Sequence, residues 1–118
     1  MKDKNKVKRN KFIRRQRRSR IKISGTASKP RVSVFRSLMH INVQAIDDNA
    51  HQTLLALSDK NIKANGSKTE IAAKLGEEFG KALKAKKVDA IAFDKGAYKY
   101  HGRVKALADG IRKAGINF

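Results

Sequence analysis

Hydrophobic and polar positions alternate most clearly in the second quarter of the chain. Arg31, Val32, Ser33, Val34, Phe35 and Arg36 are rich in β-branched and aromatic types and read as a strand closed at its start by Pro30. Ser37, Leu38 and Met39 form a short connection. Residues 40–46 then alternate with period two, which points Ile41, Val43 and Ala45 inward and His40, Asn42 and Gln44 outward. Asp47, Asp48, Asn49 and Ala50 make a turn cluster, and residues 52–58 read as a third strand of an antiparallel meander.

The period then changes. After a polar loop over 59–66, Ser67 and Glu70 have the spacing of a capping box. Ile71, Leu75, Phe79, Ala82 and Leu83 follow on one helical stripe ending near Lys86 or Lys87, with Glu70–Lys74 and Glu77–Lys81 as i,i+4 pairs on the wet side. The nearly continuous apolar run 88–93 suits a strand buried on both faces and paired in parallel after the helical crossover. A loop over 94–102 leads into a last helix with Val104, Leu107, Ala108 and Ile111 inside, and Gly115 fits a left-handed C-cap that lets Ile116 fold back. The order β-β-β-α-β-α predicts an α/β domain, one mixed sheet with packed helices, over 31–118.

Residues 1–22 follow no such pattern. They hold twelve Lys and Arg against one acid, Asp3, or +11 of a chain total of +19 over 118 residues. This basic N-terminal arm repels itself and is expected to stay extended or mobile until a polyanion neutralises it. Helix around 8–20 is expected on binding, because no Pro or Gly interrupts, and Phe12 and Ile13 would then pack on the domain or on the polyanion. Its Lys8, Arg9, Lys11, Arg14, Arg15, Arg17, Arg18 and Arg20 are candidate phosphate contacts. Residues 23–30 read as a small, polar, flexible linker. The remaining 96 residues are still basic, at +8. Nucleic acid is the polyanion that such a charge selects.

Other classes lose ground. No cysteine is present, so disulfides and thiolate metal sites are excluded. No stretch approaches the roughly 18 apolar residues of a membrane span, and no apolar segment follows the basic start as in a secretory signal. The default location is a soluble intracellular compartment. His40, His51 and His101 lack zinc spacing, and no phosphate loop or nucleophile elbow occurs, so no cofactor and no small-molecule substrate are expected. Asp47, Asp48 and Asp94 invite a two-metal carboxylate reading, but a turn role for the first two is the stronger one.

The densest chemistry lies in residues 93–110. Lys95, Tyr98, Lys99, Tyr100, His101, Gly102 and Arg103 gather cations, aromatics and glycine between a strand end and a helix N-terminus. Two residues apart, Tyr98 and Tyr100 share a side if the loop is extended and could stack on unpaired bases. A DNA-binding module is the alternative, but no helix-turn-helix spacing stands out.

Residues 93–110, with Asp94-Lys95-Gly96-Ala97-Tyr98-Lys99-Tyr100-His101-Gly102-Arg103-Val104-Lys105 at their centre, resemble the signature of the bacterial-type L-eighteen family of the large ribosomal subunit. So do residues 29–37 followed by His40-Ile41 and Gln44, Ile46, Asp47, Asp48, and so does the ending Ala114-Gly115-Ile116-Asn117-Phe118. The resemblance implies a ribonuclease H-like layout and a non-enzymatic ribosomal role. It implies binding to 5S ribosomal RNA, attachment of that RNA beside 23S ribosomal RNA, and neighbours among the large-subunit proteins of a cytoplasmic ribosome. It adds Arg31, Arg36, Ser37 and His40 to the arm and the 98–103 loop as RNA-facing positions.

Overall fold

A computed structural model describes residues 4–118; the first three positions of the arm lie outside the described residues. The meander forms as the alternation requires. Strand β1 (Arg31–Arg36) pairs antiparallel with β2 (Ile41–Asp47), and β2 with β3 (Gln52–Ser58), with an irregularity between Ala45 and Ile46. Strand β4 (Ala92–Asp94) lies parallel to β1, giving the order β3-β2-β1-β4. Val32, Val34, Ile41, Val43 and Ala45 are buried on one face. There they meet Leu75, Phe79 and Leu83 of helix α2 (Lys68–Ala85) and Val104, Leu107 and Ile111 of helix α3 (Gly102–Lys113).

Local signals set the helix ends. Ser67 Oγ accepts from the Glu70 N–H at 3.2 Å, the first half of the capping box. At the other end of the domain Gly115 takes φ +98°, and Ile116 behind it is buried. The stripe on α2 is shifted slightly from expectation: Ala72, Gly76 and Gly80 are buried while Ile71 and Ala82 are only half-buried. The reason is the neighbouring helix. A Cβ on Gly76 would stand 2.2 Å from the Leu107 carbonyl oxygen, and one on Gly110 would stand 2.3 Å from that of Ala73. The two helices therefore touch backbone to backbone. Gly76→Ala is expected to destabilise by about 2 kcal/mol, because overpacking outweighs the better helix propensity of alanine. A thermal melt checks this; an unchanged or raised midpoint would show that the helices can separate without cost.

The same closeness redirects the ion pairs of α2. Glu77 bonds Lys113 of α3 at 3.2 Å instead of Lys81, and Lys81 lies 3.8 Å from Glu78. Lys113 holds the Glu77 carboxyl below the usual carboxylate range.

Two further expectations need correction. The apolar run 88–93 is not one strand buried on both faces. Only Ala92–Asp94 pair as a strand, at the sheet edge, while Val88 and Ile91 are buried and Phe93 is half-buried. The ladder starts at Arg31 because Pro30 supplies a carbonyl, which accepts from Ala92 N–H at 2.9 Å, but has no N–H of its own. Nor is the arm an extended chain with helix confined to its middle. It is one helix, α1 (Lys4–Lys22). Lys and Arg are good helix formers, and side chains including Phe12, Ser19 and Arg20 tie the helix to the domain. Phe12 meets Tyr98 edge-to-face at 5.7 Å, and Ser19 Oγ donates to Asp94 Oδ1 at 2.6 Å.

Candidate nucleic-acid interface

The β1–β4 edge carries the charge network that positions α1. Arg31 is 8% exposed. Its Nε and Nη2 donate to the two carboxylate oxygens of Asp48 at 3.1 and 3.3 Å, and its Nη1 donates to Asp94 Oδ2 at 3.1 Å. Each acid also holds a neighbouring segment. Asp94 Oδ1 accepts from Gly96 N–H at 2.8 Å as well as from Ser19. Asp48 accepts from Gly25 N–H at 2.7 Å and from Arg20 Nη1 at 3.3 Å. The 23–30 segment is accordingly a pinned turn and not a free tether: Asp48 N–H returns a bond to the Gly25 carbonyl at 3.0 Å.

Arg31 is therefore not an outward-facing cation, as the resemblance implied. Its fork faces two carboxylates inside the protein. Its bonds, with help from the Gly25 amide and against the cost of burial, hold the Asp48 carboxyl at about 2. The acids that invited a metal reading are occupied likewise. Asp47 accepts from the Asn49 and Ala50 amides in its own turn. Among the described residues no group of His, Cys, Asp or Glu is placed to hold a metal ion, and no helix is long and apolar enough to cross a membrane.

The 98–103 loop is folded and not extended. Tyr98 N–H bonds the Lys95 carbonyl at 3.3 Å and His101 N–H that of Lys99 at 2.8 Å. Gly96 and Gly102 take φ of +62° and +56°, so each turns the chain where other residues would be strained. As a result the two tyrosines part. Tyr98 lies between Phe12 of the arm and the first hairpin, where its hydroxyl bonds both the N–H and the carbonyl of Arg36 at 3.2 Å. Its ring also sits 5.2 Å from the Arg36 guanidinium. Tyr100 goes the other way, edge-on to Phe93 at 6.2 Å, with its hydroxyl accepting from Arg112 Nη1 at 2.9 Å.

The remaining expected positions fall around this loop. Arg103 Nη1 donates to the Ser37 carbonyl at 2.8 Å, joining the start of α3 to the β1–β2 turn. Ser37 closes that turn with His40 through an N–H···O bond of 2.8 Å, and His40 Nδ1 lies 3.1 Å from Asp59. Lys95 Nζ donates to the Tyr98 carbonyl at 3.2 Å, whereas Lys99 and His101 are exposed. On α1, Lys8, Arg9, Lys11, Arg14, Arg15, Arg17 and Arg18 are exposed and have no carboxylate partner among the described residues. Among the described residues, Arg20 is the arm candidate that pairs with an acid, Asp48.

Sequence reasoning placed Lys22 in the basic arm and Phe93 at the start of the 93–110 segment without singling them out, and it missed Arg112 and Phe118. They line an open groove of about 720 Å³ together with Arg15, Arg18 and Tyr100. Phe93 and Phe118 read as core and chain-end residues, and only the docking of α1 brings them beside the arm.

A cationic α/β domain with a docked basic helix fits the class to which the family match assigns the chain, the structural, non-enzymatic ribosomal proteins. The chain belongs to the ribosomal L18 family, whose model, described as ribosomal L18 of archaea, bacteria, mitochondria and chloroplasts, matches residues 6–118. It is similar to the large ribosomal subunit protein uL18 of Leuconostoc mesenteroides, at 48% identity over 116 residues, 98% of this chain and 96% of that protein. Its identity to the protein of the same name from Staphylococcus aureus is 47% over 118 residues, covering 98% and 96%. To that of Chloroherpeton thalassium it is 46% over 115 residues, covering 92% and 96%.

Proposed function

We propose that this protein is a structural constituent of the large ribosomal subunit that binds 5S ribosomal RNA and helps attach it to 23S ribosomal RNA. In that reading it sits in cytoplasmic ribosomes beside other large-subunit proteins. Family membership supports the ribosomal role. The observation that carries RNA contact is the seating of Phe12 on Tyr98, which joins the cations of α1 and the 98–103 loop into one surface. The α1 cations that have no carboxylate partner among the described residues suit phosphates, and exposed Tyr100, Lys99 and His101 suit the irregular parts of a folded RNA.

The test is competition against labelled 5S RNA at fixed salt, with footprinting of the bound RNA. Unlabelled 5S RNA is expected to displace the label at concentrations at least tenfold below those of duplex DNA or of a structured RNA of equal length. Equal displacement by duplex DNA would mean that only general phosphate attraction is at work.

A further inference from the structure

The groove between α1 and the β4 edge has a composition that phosphate attraction alone does not explain. Its floor is aromatic. Phe93 and Phe118 stack at 5.5 Å and 22°, and Tyr100 stands edge-on to Phe93 at 84°. Arg112 braces this cluster: its guanidinium lies 4.1 Å from the centre of the Phe118 ring, and it donates to both the Tyr100 hydroxyl and the Phe118 main-chain oxygen. Tyr100 is nevertheless 40% exposed, one of the few large apolar side chains left open. The rim is cationic. Arg15, Arg18 and Lys22 stand along it from α1, without carboxylate partners among the described residues, and no Asp or Glu side chain lines the groove.

We propose that this groove is a subsite for one unpaired nucleotide of the bound RNA, a reading that rests on the RNA-binding function proposed above. The base lies against Tyr100 and the rim of the Phe93–Phe118 stack, and its flanking phosphates meet Arg15, Arg18 and Lys22. The chemistry matches in both parts. Every base has a π-face that an exposed tyrosine can cover, so recognition here tolerates sequence. A wall of Arg15, Arg18 and Lys22 with no acid among them attracts the phosphates on either side, and would attract an acidic side chain as well. What favours a nucleotide over a peptide is the pairing of a flat aromatic floor with charge spaced along one helix. The subsite also explains why the two tyrosines diverge: Tyr98 fastens the arm, and Tyr100 is left for the ligand.

Two RNAs separate this proposal from the 5S reading: 5S RNA itself, and a twelve-nucleotide oligouridylate with no structure to recognise. Ultraviolet crosslinking followed by peptide mapping is expected to mark Tyr100 or Phe118 with both. Tyr100→Leu, which keeps an apolar side chain beside Phe93 and is checked by a thermal melt, is expected to weaken both RNAs by about tenfold with little change in salt slope. Arg18→Gln is expected to leave the crosslink in place while flattening the slope by nearly one unit. Crosslinks that map outside the groove, or Tyr100→Leu binding within twofold of the parent on both RNAs, would overturn the subsite whatever the 5S result. Oligouridylate crosslinked in the groove by a protein with no preference for 5S RNA would uphold the subsite and remove the 5S reading.

Discussion

Arg31→Met is expected to destabilise the folded protein by about 3–5 kcal/mol, with a much smaller effect on the salt dependence of RNA binding. The side chain lies between two carboxylates, and Asp94 is only 3% exposed. Removing the arginine leaves a buried charge without its partner, which costs far more than the net worth of the pair. The loss spreads beyond the strand edge, because the same two acids hold Ser19, Arg20 and Gly25. Loosening of α1 is the expected companion effect, seen as faster amide exchange from residue 12 onward. A denaturation midpoint equal to that of the parent, together with a salt slope flattened by one phosphate, would instead make Arg31 an RNA contact.

The network also sets an acid limit. In the unfolded chain the Asp48 carboxyl titrates near 3.8, in the folded protein near 2. Because the folded value is the lower, the unfolded chain takes up the proton first as pH falls. The contribution, about 2 kcal/mol, is complete only above about pH 5 and is lost progressively between roughly pH 5 and pH 1. A pH series of melts on the parent and on Asp48→Asn tests the sign: the variant's acid limb should be flatter in that window.

Deleting residues 1–22 is expected to have the largest effect on binding. If about half of the unpartnered cations of α1 face phosphates, the plot of log affinity against log salt becomes shallower by about 3 units, while part of the preference for 5S RNA over other RNA remains. Deletion also removes Phe12 from Tyr98 and Ser19 from Asp94, so charge and anchoring are lost together. Converting Arg14, Arg15, Arg17 and Arg18 to Gln separates them, because it keeps the helix and both anchors. That variant should lose much of the salt slope with an unchanged melt. A truncated domain that kept its affinity but lost its preference would reverse the division of labour between arm and domain.

Much of the layered fold was readable from local pattern. Ile41, Val43 and Ala45 alternate because each neighbour faces the other side of a strand, and all three are buried. Ser67 starts α2 and Gly115 ends the turn after α3 through chemistry confined to a few adjacent residues. Reading failed where a residue's partner is distant. The 88–93 run is apolar for two reasons that sequence cannot separate, strand pairing for part of it and packing under the helices for the rest. Gly76 and Gly110 look like weak helix residues until the other helix is seen against them. The site was legible in its residue types, cations and tyrosines, but not in their directions. Tyr98 and Tyr100 are split by turns at Lys95 and Lys99, and each direction is fixed by a contact with Arg36 or Arg112 far along the chain.

By itself the sequence determined the α/β class, the order of the elements, the cationic character of the arm and the family. These follow from periodicity, capping and summed charge, which are properties of neighbouring residues. Only the tertiary structure decided that Arg31 faces inward, that the arm is a helix anchored at Phe12 and Ser19, and that its arginines border an aromatic groove. Those outcomes depend on which charges and rings meet across 63, 75 or more residues of chain. An arginine's pattern is the same whether it faces a carboxylate or solvent; the difference lies in the fold that brings Asp48 and Asp94 to it.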